Sequence, residues 1–212
     1  MRDPVGHTWQ RITRWLHGHA PATAALIRGP AGAAAVDAVE RDVGTPLPAD
    51  LRAWWACTDG FPPGTVEALI PALHTPLTTA AVPAELRSRL AISSTAAQPH
   101  DAEAGRFSHG YQPAFVPIST DNCGQVLFVD LRPGPWHGCV SEWDHEQGFL
   151  DAPRWRSVAV MLADIAGALE SGGPALADYT DRRRALGFTH DTRVWAAVDN
   201  AGELEWLDRL TE

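Results

Sequence analysis

"VPISTDNCGQVLFVDL", residues 116–131, is the stretch whose reading decides the fold. Two apolar runs, residues 115–118 and 126–131, flank a turn built from Ser119, Thr120, Asp121, Asn122 and Gly124, with Cys123 at its tip. Short runs rich in Val, Ile, Leu and Phe, bounded by turn residues, read as buried strands. The link between them is short, which makes them antiparallel neighbours. Asp and Asn bond their own backbone in such a turn, and glycine supplies a positive φ. "CVSEW", residues 139–143, entered through "RPGPWHG", reads as a third strand.

Helical spacing dominates on either side of these strands. Trp9, Ile12 and Leu16 recur at helical period over residues 8–19, with Thr8 as N-cap. A short alanine-rich helix at 22–27 ends at Arg28-Gly29-Pro30, and a second at 33–43 carries the stripe Val36, Val39, Val43 before Gly44. "TPLPADLRAWWACTDG" places Pro48 in a first helical turn and closes at Asp59-Gly60. Trp54 and Trp55 are adjacent, so one of them is expected to be at least partly exposed or to lie under the tail. Residues 66–77 read as an irregular strand, 80–91 as a short helix and 93–106 as a mobile loop. Val158, Met161, Leu162, Ile165 and Leu169 mark a helix over 157–171, stopped by Gly172-Gly173-Pro174. Residues 194–207 alternate around Asp199-Asn200-Ala201-Gly202, a hairpin signature.

The pattern predicts an α+β fold, with N-terminal helices and a C-terminal helix packed on a mainly antiparallel sheet. Residues 1–172 form the domain and 173–212 a C-terminal extension. The helix-free face of the sheet is expected to be wet and acidic.

The 212-residue chain has 26 acidic residues against 17 Lys and Arg, for a net charge of -9. Such a surface repels phosphates, which argues against direct nucleic-acid binding, and it suits a basic protein partner. Three cysteines at no CxxC spacing point to reduced thiols in a cytoplasmic setting. The N-terminus lacks a signal-like apolar run, and no stretch approaches the ~20 apolar residues of a membrane span.

Chemical motifs are sparse. Cys123 sits in a strand-to-strand turn with no histidine nearby in sequence, a poor setting for a nucleophile. His137, Cys139, Asp144 and His145, with His109 from the preceding loop, gather metal-ligand types but at no recognised spacing. Asp101 with Glu103, or Glu142 with Asp144, reads as solvated acid more simply than as an acid–base pair. No GxGxxG, P-loop or GxSxG occurs. Trp54, Trp55, Trp143 and Trp155 are candidates for a recognition groove. Arg182, Arg183 and Arg184 read as a solvated turn of helix.

"VERDVGTPLPADLRAWWACTDGF" resembles the helix–LP–helix–DG signature of the SUKH superfamily, which includes fungal cell-wall assembly regulators and bacterial immunity proteins. "FVPISTDNCGQVLFVDL" is similar to that family's strand, polar glycine turn and strand. "GCVSEWDHE" resembles its next strand and "RWRSVAVMLADIAGAL" its closing helix. The family turn carries an acid after the glycine, whereas Gln125 follows Gly124 here. The resemblance implies a non-enzymatic protein-binding module with no shared catalytic residues, metal or cofactor, often an immunity protein beside its toxin. Asp121, Asn122, Glu142, Trp143 and Asp144, from the sheet edge and its turns, are the expected partner contacts. A regulatory scaffold without a toxin and a small metal- or thiol-dependent enzyme stay open as alternatives.

Overall fold

The computed structural model describes residues 4–93, 103–108, 110–121, 123–144, 148–149 and 152–208. Four helices lead: α1 (Pro4–His19), α2 (Pro21–Leu26), α3 (Ala33–Val43) and α4 (Ala49–Trp55). Then come β1 (Thr75–Pro76), α5 (Val82–Ser93), β2 (Phe115–Thr120), β3 (Val126–Asp130), β4 (Val140–Asp144) and β5 (Gly148–Phe149). The last elements are α6 (Val158–Ser171), β6 (Pro174–Ala175), α7 (Ala177–Ala185), β7 (Val194–Val198) and β8 (Leu204–Asp208). Strands β1 to β5 form one sheet in chain order, β6 to β8 a second, and every pairing is antiparallel. This is the α+β arrangement the sequence predicts.

Local chemistry sets the helix ends. Helix α1 already includes Pro4, ahead of Thr8, and Val5 extends the buried stripe of Trp9, Ile12 and Leu16. Ser157 caps α6 by accepting the Val160 N–H at 3.3 Å, and Gly172 ends it at φ 67°. Asp59-Gly60 joins the helical half to the sheet. The Asp59 carboxylate accepts both the N–H and the hydroxyl of Thr79 at 2.8 Å. At Gly60, φ is +66° and a Cβ would lie 2.3 Å from the Leu77 carbonyl oxygen, so only glycine fits.

Alternation along the strands feeds two separate cores. Val116, Ile118, Leu127, Val129 and Val140 join α1, α4 and α6 in the main one. Phe115, Val126, Phe128 and Trp143 form the other with Leu86 of α5 and Tyr111. All of β3 is buried. The expectation of a wet, acidic helix-free face is therefore corrected: α5 and the chain around Tyr111 cover it.

Neither Trp54 nor Trp55 is exposed, since both are buried. Helix α4 is enclosed on more than one side. Trp54 meets Trp9 edge-on at 6.4 Å, and the Ala31 N–H bonds the Trp55 carbonyl at 2.8 Å. The chain after α6 packs back onto the body. Leu176, Tyr179, Val194, Leu204 and Trp206 enter the main core. The Leu204 N–H donates to Thr23 Oγ1 at 2.7 Å and Trp206 Nε1 to the Leu69 carbonyl at 3.2 Å.

Candidate functional site

The turn that opens the sheet's middle hairpin is a structural corner. Asp121 Oδ1 accepts the N–H groups of Cys123 and Gln125, both at 2.8 Å, and Gly124 takes φ 116°. Arg89 of α5 holds the Gly124 carbonyl at 2.8 Å. Asp121 is half-buried and Cys123 exposed, while Asn122 lies outside the described residues.

Three of the expected contact residues have inward roles. Glu142 sits on the main-core face of β4, opposite Leu127. Its carboxylate takes His74 Nε2 at 2.8 Å on one oxygen and the Arg154 guanidinium on the other. Burial pushes the Glu142 carboxyl up, but the Arg154 charge and the His74 hydrogen bond together outweigh it and hold the group at about 2. Burial keeps His74 below its ordinary value, so the neutral ring donates Nε2–H and leaves Nδ1 with no partner among the described residues. Trp143, 2% exposed, lies in the second core beneath the Arg89 guanidinium. Asp144 is buried, and Gln125 Nε2 donates to its carboxylate at 3.3 Å. The free, solvated face expected of Glu142, Trp143 and Asp144 is thus corrected: strand β4 is covered on both sides.

The recognition-groove reading of the tryptophans is corrected for the same reason. Trp54, Trp55, Trp143 and Trp155 are all buried, and Trp155 Nε1 is spent on Asp164 at 2.8 Å. His137 is exposed while Cys139 is buried beside Ser141 Oγ at 3.7 Å, so the two do not present one ligand face. Burial pushes the Cys139 thiol up to about 12, far from a reactive thiolate. His109, His145 and Asp101, with most of the 93–106 loop, fall outside the described residues. Among the described residues, no three His, Cys, Asp or Glu side chains gather as a metal site. Arg182 is not simply solvated, since it donates to the carbonyls of Pro153 and Arg154 at 3.0 and 2.8 Å.

The accessible features lie elsewhere. A groove of about 290 Å³ runs between residues 66–73 and β8. Val66, Leu73 and Leu207 are its exposed apolar side chains, at 69%, 62% and 49%. Glu67, Glu203 and Glu205 line it with them, and no Lys, Arg or His does among the described residues. Leu73 holds φ 71°, a left-handed conformation that costs a non-glycine residue about 1 kcal/mol or more. Thr75 pairs with Thr120, so Asp121 adjoins the end of the sheet from which this segment leaves. A second groove, about 550 Å³, lies by Phe107, Trp136 and Leu186, rimmed by Arg106 and Arg182.

Sequence reasoning missed the first groove. The outward position of Glu205 and Leu207 follows from "LEWLD" once Leu204 and Trp206 face inward. Nothing local shows that residues 66–73 stand opposite them.

No helix among the described residues is long and apolar enough to cross a membrane. A search of curated proteins finds no match for this chain. The model of the SMI1 / KNR4 family (SUKH-1) matches residues 30–164, from α3 through the first half of α6. That span holds the Asp59-Gly60 joint, both faces of the sheet and the buried Glu142. The chain belongs to the SMI1/KNR4 family (SUKH-1).

Proposed function

We propose that this chain is a non-enzymatic, cytoplasmic protein-binding module of the immunity type, which binds a toxin domain directly and occludes it. The observation that carries this reading is the family match over residues 30–164 in a chain of net charge -9. An acidic surface favours a basic partner and speeds its encounter, and a nuclease toxin has the phosphate-binding cleft such a surface can mimic. Asp121, in the hairpin turn, and Asn122, outside the described residues, remain proposed contacts. Glu142 and Asp144 act in this reading by holding β4 and its neighbours in place.

The test is co-expression with the protein encoded beside it. Rescue of growth and a stable complex are the expected results. A neighbour that is neither toxic nor bound sinks the immunity reading. The match to a family that includes cell-wall assembly regulators favours, as second reading, a regulatory scaffold without a toxin. A pull-down that recovers a synthesis or signalling complex in place of a toxin decides for it.

A further inference from the structure

We infer that the groove between residues 66–73 and β8 is the docking site for an extended, basic and apolar segment of a partner protein. The inference deepens the binding reading above and rests on it. Val66, Leu73 and Leu207 expose apolar surface around one cavity of about 290 Å³. Clustered apolar side chains rimmed by polar ones mark interaction sites more often than scattered ones do. The sign of the rim selects the occupant. Glu67, Glu203 and Glu205 all carry negative charge, and no cationic side chain lines the groove among the described residues. A segment alternating Lys or Arg with Leu, Ile or Val places its aliphatic side chains against Leu73 and Leu207 and its cations against the glutamates.

The groove is also a composite. Residues 66–73 lie inside the family match and residues 203–207 outside it, so the docked tail supplies one wall. That wall is anchored by Trp206 on the Leu69 carbonyl and Leu204 on Thr23. Partner choice can therefore change with the tail while the family domain stays constant. The arginine-rimmed groove by Phe107 has the opposite sign and does not suit the same segment.

The experiment uses the full chain and a fluorescein-labelled peptide of alternating lysine and leucine, read by anisotropy. Binding is expected, it weakens with added salt, and a glutamate–leucine peptide does not bind. Glu205→Lys and Leu73→Asp are each expected to weaken binding about tenfold, more than most interface residues cost on truncation. Asp42→Lys, the same charge change on exposed α3, is expected to shift it less than about twofold. Leu73→Gly removes the side chain but relieves the left-handed backbone, so it keeps or raises stability while losing affinity. Equal weakening by Asp42→Lys, or no effect of Glu205→Lys and Leu73→Gly, overturns the groove assignment. A neighbouring-gene product that still binds Glu205→Lys and Leu73→Gly undiminished also overturns it, yet leaves the binding reading standing. Absence of any complex with that product strikes the immunity reading instead.

Discussion

On one face of the five-stranded sheet, Val116, Ile118, Leu127 and Val129 lie under α1, α4 and α6. On the other, rings replace branched aliphatics. Phe115 stacks on Phe128 with centroids 4.1 Å apart, and Tyr111 meets Phe115, Phe128 and Trp143 edge-on at 5.4 to 5.7 Å. Helices satisfy their own backbone and need only an apolar stripe to cover a sheet. Irregular chain cannot do so, and each face acquires buried charge where irregular chain takes over the covering. On the aromatic side, Asp130 accepts the Gly105 N–H at 2.9 Å, and Arg132 pairs with Asp130 at 2.7 Å while holding the Arg106 carbonyl at 2.8 Å. On the helical side, Glu142 gathers His74 and Arg154 where the 70–74 segment closes the core. Buried charges here serve loops.

That comparison can be broken at its charges first. Asp130→Ala strands the buried Arg132 and is expected to cost about 3–5 kcal/mol by denaturant unfolding, and Glu142→Ala, which strands the half-buried Arg154, about 3 kcal/mol. A loss below about 1 kcal/mol at either site removes its pinning role. Next come adjacent residues on opposite faces: Phe128→Ala is expected to cost about 3–5 kcal/mol. Val129→Ala costs about 2 kcal/mol, the scale of a smaller buried side chain. Equal losses mean that the aromatic face carries no more packing than the helical one.

Acid sharpens the same point with a smaller effect. Glu142 folds with a pKa of about 2 against an ordinary 4.5, and His74 lies below its ordinary 6.5. In both cases the unfolded chain binds protons more readily, so stability erodes as pH falls. His74 contributes below pH 6.5 and Glu142 between 4.5 and about 2. Asp164, raised by burial, works in the opposite sense. Unfolding measured against pH is expected to have a shallower slope between 4.5 and about 2 in Glu142→Gln, and an unchanged slope places the acid sensitivity elsewhere. The smallest effect is a gain. The Tyr111 hydroxyl is buried with no partner among the described residues, and Tyr111→Phe is expected to stabilise by about 1 kcal/mol in thermal unfolding. A loss instead reveals a hydrogen bond at that oxygen.

Much of the fold was legible in the chain itself. The continuous apolar run of β3 announced a strand, and in hindsight its lack of alternation announced cover on both faces. Asp121 and Gly124 declared a turn because their side-chain chemistry acts within a few residues. The Asp199–Gly202 hairpin was readable for the same reason. The site was far less legible. Glu142, Trp143 and Asp144 looked like a solvated edge because polarity in a sequence does not say whether a distant partner waits. His74 and Arg154 are 68 and 12 residues from Glu142, and only the packed chain joins them.

The sequence by itself determined the longer helices, the central strands, the antiparallel hairpins and the net charge, because those depend on periodicity, capping and composition. Tertiary structure alone decided which segments close each face of the sheet, which acids are drawn inward, and that residues 66–73 meet the tail in an acid-rimmed groove. Those outcomes depend on contacts between residues far apart in the chain, and no local pattern encodes them.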